Sequence, residues 1–445
     1  MDLIGLIPSF GNLAFTIVAF VVALSVIVAV HEYGHYIVGR WSGIHAEVFS
    51  LGFGPVLLRR TDKRGTRWQL AALPFGGFVK FRGDADAASG KDGAMMSRLS
   101  PEERRRTMHG APLWARSATV AAGPMFNFIF SIAVFAGYFL INGVSGDTPV
   151  VGSLKPTPFA TESLLPGDRI TAVNGIDTPD MDQFVEIARA LPPAPAVAYT
   201  VDRAGQAVIV DGPYPFPALA DRVQPQSAAQ DVGVAAGDVV LSIDGTPVAS
   251  FEELRTIVGA SDGRPLLLNV WRAGETVDIA LVPRRMDLPK PEGGFETRWL
   301  IGLSGGLVFV PETRTPGVFE SVGLAGAETW RIATTSLSGL WHMVSGAISS
   351  CNLQGPIGIA ETSGDAASQG VESFILFIAM LSTAVGLLNL FPIPVLDGGH
   401  LVFHAYEAVT GRPPSDRALR ILMTAGITLV LGLMVFALGN DLFCP

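Results

Sequence analysis

The stretch FGNLAFTIVAFVVALSVIVAVHEYGH, residues 10–35, decides how this chain is organised. Phe10 to Val30 is one apolar run, long enough to cross a bilayer as a helix. It ends in two imidazoles and a carboxylate, His31, Glu32 and His35. On a helix, His31 and His35 lie one turn apart on the same face, so both can reach one ion. Glu32 stands beside the first, placed to take a proton from a water on that ion. Ionisable groups at the end of an apolar run are costly in lipid and mark function by default. The run has no basic n-region and no small-residue cleavage site, so it is expected to persist as a membrane helix.

Zinc takes imidazole nitrogen readily and, in catalytic sites, uses three protein ligands and one open position. The long soluble pattern needs a glycine three residues past the second histidine and a histidine six past it. Val38 and Trp41 occupy those places, which excludes that class. The favoured third ligand lies in Asn389-Leu-Phe-Pro-Ile-Pro-Val-Leu-Asp-Gly-Gly-His400. Pro392 and Pro394 break a helix at membrane depth, where irregular backbone survives only in protein or beside a polar cavity. Asp397, next to that break, can turn toward the ion. His400 and His404, also one turn apart, stand as alternatives, either for the third ligand or for a second metal site.

The whole chain fits a membrane protein with a water-exposed part. Of 445 residues, 49% are hydrophobic and only 16% charged, against about a quarter in soluble domains. A net charge of -9 argues against a nucleic-acid partner. Further apolar spans are expected near 118–141, 374–391 and 421–438. The loop after the first span is rich in arginine (Arg59, Arg60, Arg64, Arg67, Arg104, Arg105, Arg106, Arg116), and the last loop carries Arg412, Arg417 and Arg420. Both are expected on the cytoplasmic side, with both termini and the long acidic segment from about 142 to 372 outside. Cys351 and Cys444 then share the outer side, where either a disulfide or two unpaired thiols can stand, and two unpaired thiols are the favoured expectation.

The outer segment contains a repeat. Leu164-Leu-Pro-Gly-Asp-Arg-Ile-Thr-Ala-Val-Asn-Gly175 matches Val234-Ala-Ala-Gly-Asp-Val-Val-Leu-Ser-Ile-Asp-Gly245. Each copy reads as a turn, a half-buried strand and a tight hairpin turn. A short helical stretch follows each, then a strand and a turn at Arg203-Ala-Gly205 or Arg272-Ala-Gly274. The pattern resembles tandem PDZ domains of the bacterial, circularly permuted kind, which capture peptides by strand addition. The pair reads either as a binder of peptide or ectodomain or as a spacer. Trp68 to Phe81, with its Pro-Phe-Gly-Gly run, reads as a hairpin dipping into the membrane. Its edge at Gly76, Gly77, Phe78 and Val79 either pairs with substrate or only packs on the first span.

HEYGH in span one, NLFPIPVLDGGH at span three and the repeat between spans two and three resemble the site-2 protease family over nearly the whole chain. The resemblance is to the bacterial branch that regulates sigma-E. It implies an intramembrane zinc endopeptidase of the envelope stress response in the inner membrane, with Zn2+ on His31, His35 and Asp397 and with Glu32 as catalytic base. It further implies an active site toward the cytoplasm and periplasmic PDZ domains. The implied partners are single-span substrates, namely an anti-sigma factor after a first cut and remnant signal peptides, together with membrane lipid. Asn389 would help to hold the substrate. Ala121-Ala-Gly-Pro-Met-Phe-Asn127 and Gly355-Pro-Ile357 match further family motifs.

The expected fold is a multi-pass α-helical membrane protein of about four transmembrane helices, with two periplasmic PDZ-like α+β domains and a membrane-associated β-hairpin. Its expected parts are 1–40 (first span), 41–115 (loop with hairpin), 116–143 (second span), 144–215 and 216–290 (the two PDZ-like domains). They continue with 291–372 (linker with an amphipathic helix at Val318–Ser350), 373–410 (third span with the Leu-Asp-Gly motif) and 411–445 (fourth span). No role is assigned to Asp84–Met108.

Overall fold

The computed structural model describes residues 6–85, 93–158, 164–290 and 294–444. Part of the Arg-rich stretch before Met108, residues 86–92, lies outside them. The chain forms two compact units, one of residues 1–137, 319–341 and 350–445, the other of 138–318 and 342–349.

Among the described residues, four helices are long and apolar enough to cross a membrane. Span one is Leu6–Trp41, span two Leu113–Asn142, span three Val371–Asn389 and span four Asp416–Phe443. The segment 373–410 is not one helix. Span three stops at Asn389, a turn follows, and a separate helix runs from Asp397 to Thr410. Pro392 and Pro394 fall in that turn because neither can donate to a helical ladder. Ala23 and Ile27 of span one are fully buried against Phe377 and Ile378 of span three and Ala366 of the helix Pro356–Ser368.

Between spans one and two, Ala46–Thr61 and Arg67–Phe81 form a two-stranded sheet. Its hairpin turn is at 62–66, where Asp62 accepts the N–H groups of Arg64 and Thr66 at 2.8 and 3.0 Å. Pro74-Phe-Gly-Gly77 is therefore not the turn of a hairpin, as its composition suggests, but a bend within the second strand. The sheet folds on itself. Phe49 to Leu51 pairs with Gly77 to Val79 and also with Trp68 to Leu70. Tyr36 of span one, Phe49 and Trp68 pack ring to ring at 5.9, 5.0 and 4.3 Å, fixing the sheet on the helix. Such aromatic pairs add about 1 kcal/mol each beyond their buried area.

The cysteines are paired. Cys351 and Cys444 form a disulfide, correcting the expectation of free thiols. Separated by 93 positions, they carry no local pairing signal. Tertiary structure joins them. Asp441 of span four accepts the backbone N–H groups of Gly355, Ile357 and Gly358 at 2.7, 3.0 and 3.2 Å. It thereby caps the helix that starts at Pro356. Asn440 donates to the Ser350 carbonyl at 2.7 Å, and the two cysteine Cα atoms come to 5.6 Å. The Gly355-Pro-Ile357 motif is thus the seat of span four's end.

The second unit carries two α+β lobes with one element order. In the first, strands Arg169–Val173, Ile176–Asp177, Val197–Arg203 and Gln206–Gly212 form one sheet with helix Met181–Ala190. In the second, Val239–Ile243, Thr246–Pro247, Leu266–Arg272 and Glu275–Leu281 do so with helix Phe251–Gly259. Asn174-Gly175 and Asp244-Gly245 both take positive φ at both positions, the geometry of a tight hairpin turn. The Gly-Asp signature has a clear cause. Buried Asp168 accepts Nε and a terminal N–H of Arg203 at 2.8 and 2.7 Å, and Asp238 accepts those of Arg272 at 2.8 and 2.6 Å. The expected linker at 291–372, described from residue 294 on, also contains strands. Leu303–Gly305 pairs with Ala220–Val223 and Phe309–Pro311 with Val151–Leu154. Phe309 is wholly buried in the first lobe's core. The helix Val318–Val344, of which 319–341 belong to the first unit, buries a stripe of Ser321, Ala325, Thr329 and Ala333 and exposes Trp330 and Trp341.

Two outcomes are expected. The intact chain should take no maleimide until it is reduced and should then take two, by mass. The Arg203 hydrogen bonds hold the Asp168 carboxyl below its usual range, although burial opposes them. A carboxyl lowered by folding stabilises above the ordinary carboxylate pKa and loses that contribution as pH falls through the folded value. Asp168→Asn should therefore speed amide exchange in Val197–Gly212 by about 30-fold at pH 7, equivalent to about 2 kcal/mol. The gap from the parent should shrink below pH ~4.

Candidate metal centre

Span one continues unbroken past its histidines to Trp41. His31 is ten residues from that end, so about 15 Å of helix lies beyond it. The histidines therefore lie inside a continuous helix and not at its frayed end. The other side of the site comes from the turn after span three. Asp397 opens the helix Asp397–Thr410, and Leu396 precedes it in extended conformation. The two glycines after the aspartate have a steric reason. A Cβ at Gly398 would lie 2.3 Å from the Leu390 carbonyl oxygen, and one at Gly399 2.2 Å from that of Ile393.

These elements bring three lone-pair atoms together. His31 Nε2 and His35 Nε2 are 3.1 Å apart, and Asp397 Oδ2 is 3.1 Å from the first and 3.4 Å from the second. Ligands at about 2.0 Å from one tetrahedral ion stand roughly 3.3 Å from each other. The triangle therefore has the edge length that zinc requires. A shared cation would satisfy all three atoms at once, whereas a single proton between the two imidazole nitrogens cannot also serve Asp397 Oδ2. Asp397 Oδ2 is buried and faces these two imidazole nitrogens. The donor set and spacing fit Zn2+. Among the described residues, His31, His35 and Asp397 are the group whose ligand atoms lie within 4.8 Å of one another. His35 turns its other nitrogen, Nδ1, to the Thr119 carbonyl at 2.8 Å.

A cavity of about 250 Å³ opens at this triangle, and Glu32 lines it beside the ligand atoms. Gly77, Phe78, Val79 and Asn389 line it too, whereas Gly76 stands just behind, against the Phe53 ring. A Cβ at Gly77 would lie 2.8 Å from the Ser50 carbonyl and 3.0 Å from Glu32 Cγ, so glycine lets the strand reach the acid. Asn389 donates to the Val385 carbonyl at 3.1 Å.

The alternative histidines separate. His400 lines the cavity. His404 instead lies 3.2 Å from the Ser117 hydroxyl, near the Arg116–Glu407 ion pair. Burial and the Arg116 charge hold His404 down to about 4, so it is neutral at pH 7. Sequence reasoning missed Thr119 and Asn127, which touch the histidines from span two, and Met108, which lines the cavity. The four-residue spacing of Thr119, Gly123 and Asn127, one helix stripe, was the available signal.

The model of peptidase family M50 matches residues 19–433. The chain belongs to that family, the family of the site-2 proteases. A candidate zinc metalloprotease of Rhizobium meliloti (strain 1021) is 38% identical over 436 residues, 97% of both chains. The regulator of sigma-E protease RseP of Salmonella typhimurium (strain 14028s / SGSC 2262) is 34% identical over 461 residues, 97% of this chain and 99% of that one. RseP of Escherichia coli (strain K12) is 34% identical over 454 residues, 95% of this chain and 97% of that one.

Purified Asp397→Ala should lose most of its zinc by elemental analysis, whereas His400→Ala should keep a full complement. Full zinc in the first variant would remove Asp397 from the ligand set.

Proposed function

We propose that this zinc metalloprotease cuts the transmembrane segment of single-span membrane proteins inside the bilayer. The observation that carries the reading is the content of one cavity: it holds a zinc-competent triangle, a carboxylate and a strand edge with no second strand beside it among the described residues, all flanked by apolar helices. Gly77–Phe81 pairs with 46–51 on one side, and no strand is registered on its other side among the described residues.

A transmembrane helix is a poor substrate as it stands, since its carbonyls are hydrogen-bonded internally. Cleavage needs a few residues unwound, and the freed backbone groups need partners in a medium without water. The edge at Gly77, Phe78 and Val79 offers them as an added strand would. Asn389 holds the extended segment from the opposite wall. Zinc, when bound, supplies the charge that polarises the scissile carbonyl and acidifies water. Glu32 takes the proton from the attacking water and delivers it to the leaving amine. Asp397, His31 and His35 are the residues that hold the ion.

The relatives named as regulators of sigma-E protease support a place in an envelope stress pathway. An anti-sigma factor already shortened outside the membrane is the substrate class, with signal-peptide remnants a second. The arginine-rich loops support an orientation with the active-site end toward the cytoplasm of the inner membrane and the two lobes in the periplasm. The disulfide agrees, since such bonds persist on the oxidising side. The lobes act as PDZ domains that bind a peptide or screen ectodomains by size.

The test is a purified, lipid-reconstituted enzyme given a single-span reporter with a short ectodomain, and casein in parallel. Cleavage within the reporter span, its loss in Glu32→Gln by about 10³-fold or more with zinc retained, and intact casein are expected. Full activity of Glu32→Gln would refute its role as base. Casein digestion without span cleavage would refute the intramembrane reading.

A further inference from the structure

The motif Ala121-Ala-Gly-Pro-Met-Phe-Asn127 has no part in the chemistry above, yet it forms the wall behind both histidines. Thr119, Gly123 and Asn127 follow at four-residue spacing and so share one face of span two. A Cβ at Gly123 would lie 2.3 Å from His35 Nε2 and 2.8 Å from His31 Cε1. Only glycine leaves room there for both rings. One turn before it, the Thr119 carbonyl takes the His35 Nδ1 hydrogen bond at 2.8 Å. One turn after it comes Asn127, wholly buried.

The amide of Asn127 raises a question of hydrogen-bond balance. Its nitrogen lies 3.3 Å from His31 Nδ1, and its oxygen has no partner. For His31 Nε2 to offer a lone pair to an ion, the ring proton must sit on Nδ1. An amide nitrogen facing Nδ1–H would set donor against donor and leave a buried oxygen unsatisfied, at a cost of about 1–3 kcal/mol. A half-turn of the amide swaps two ends of nearly equal shape and removes both faults. The residue itself is well fixed, because Ser131 and Ser382 donate to its backbone carbonyl at 2.9 and 3.1 Å.

We propose that Asn127 is a positioning residue for the metal: its amide oxygen accepts the Nδ1–H of His31, fixing the tautomer and ring angle that present Nε2 to zinc. The Thr119 carbonyl does the same for His35. The Thr119, Gly123 and Asn127 face of span two, which runs from just before the motif to its last residue, is therefore a two-pronged acceptor with a glycine gap between the prongs. This rests on the reading of His31 as a zinc ligand.

The experiment compares zinc affinity, by competition with a graded chelator, in the full-length parent and in Asn127→Leu, Asn127→Asp, Ser382→Ala and His31→Ala. Asn127→Leu keeps the volume and removes the acceptor, and it should weaken zinc by about 10- to 100-fold. Asn127→Asp keeps an acceptor and should hold zinc at least as tightly as the parent. Ser382→Ala touches only the backbone carbonyl and should leave affinity unchanged. A packing role alone predicts equal losses in the leucine and aspartate variants, which would overturn the proposal. So would parental affinity in Asn127→Leu. Should Asn127→Leu fail to fold, judged by its melt with chelator present, the aspartate variant decides alone: weakened zinc binding there overturns the proposal. Parental affinity in His31→Ala would instead overturn the underlying ligand assignment.

Discussion

Three electron-rich atoms, two imidazole nitrogens and one carboxylate oxygen, face one another at 3.1–3.4 Å inside a helical membrane unit. Without a cation this arrangement is costly, because each atom has left water and none can be donor to both others. With one, the same atoms become a closed coordination triangle. The rest of the first unit can be read as what this meeting demands. Span one must present two histidines on one face. Span three must break so that a carboxylate can turn inward. Span two must leave a gap where two rings fit.

The break after span three shows how local chemistry sets up that geometry. Pro392 and Pro394 remove two backbone donors and end the helix, and the turn closes so tightly that Gly398 and Gly399 have no room for side chains. Asp397 thus opens a new helix instead of continuing the old one. The folded-back sheet supplies the other wall. It is clamped by the Tyr36, Phe49 and Trp68 rings, and Gly77 lets its edge approach Glu32.

Some of this was legible in the amino-acid order and some was not, for physical reasons. The histidine spacing in HEYGH, the two prolines before Asp397 and the doubled Gly-Asp pattern are local signals, governed by helix pitch or turn chemistry. Partners fixed by distant packing were invisible. The Cys351–Cys444 bond depends on Asp441 seating one helix on the end of another. Phe309 lies far beyond the first lobe in sequence, yet fills its core. Pro74 to Gly77 has turn composition, but Asp62 wins the turn by capping two backbone N–H groups with one carboxylate. Asn127 stands in a sequence motif whose role the amino-acid order does not reveal, because a histidine's outer hydrogen bond has no signature in sequence.

Zinc-edge X-ray absorption of the purified protein tests the meeting of spans one and three most directly. The account predicts a first shell of nitrogen and oxygen only, near 2.0 Å, with outer-shell scattering from two imidazoles. A shell holding sulfur, or scattering from one imidazole or three, would contradict it.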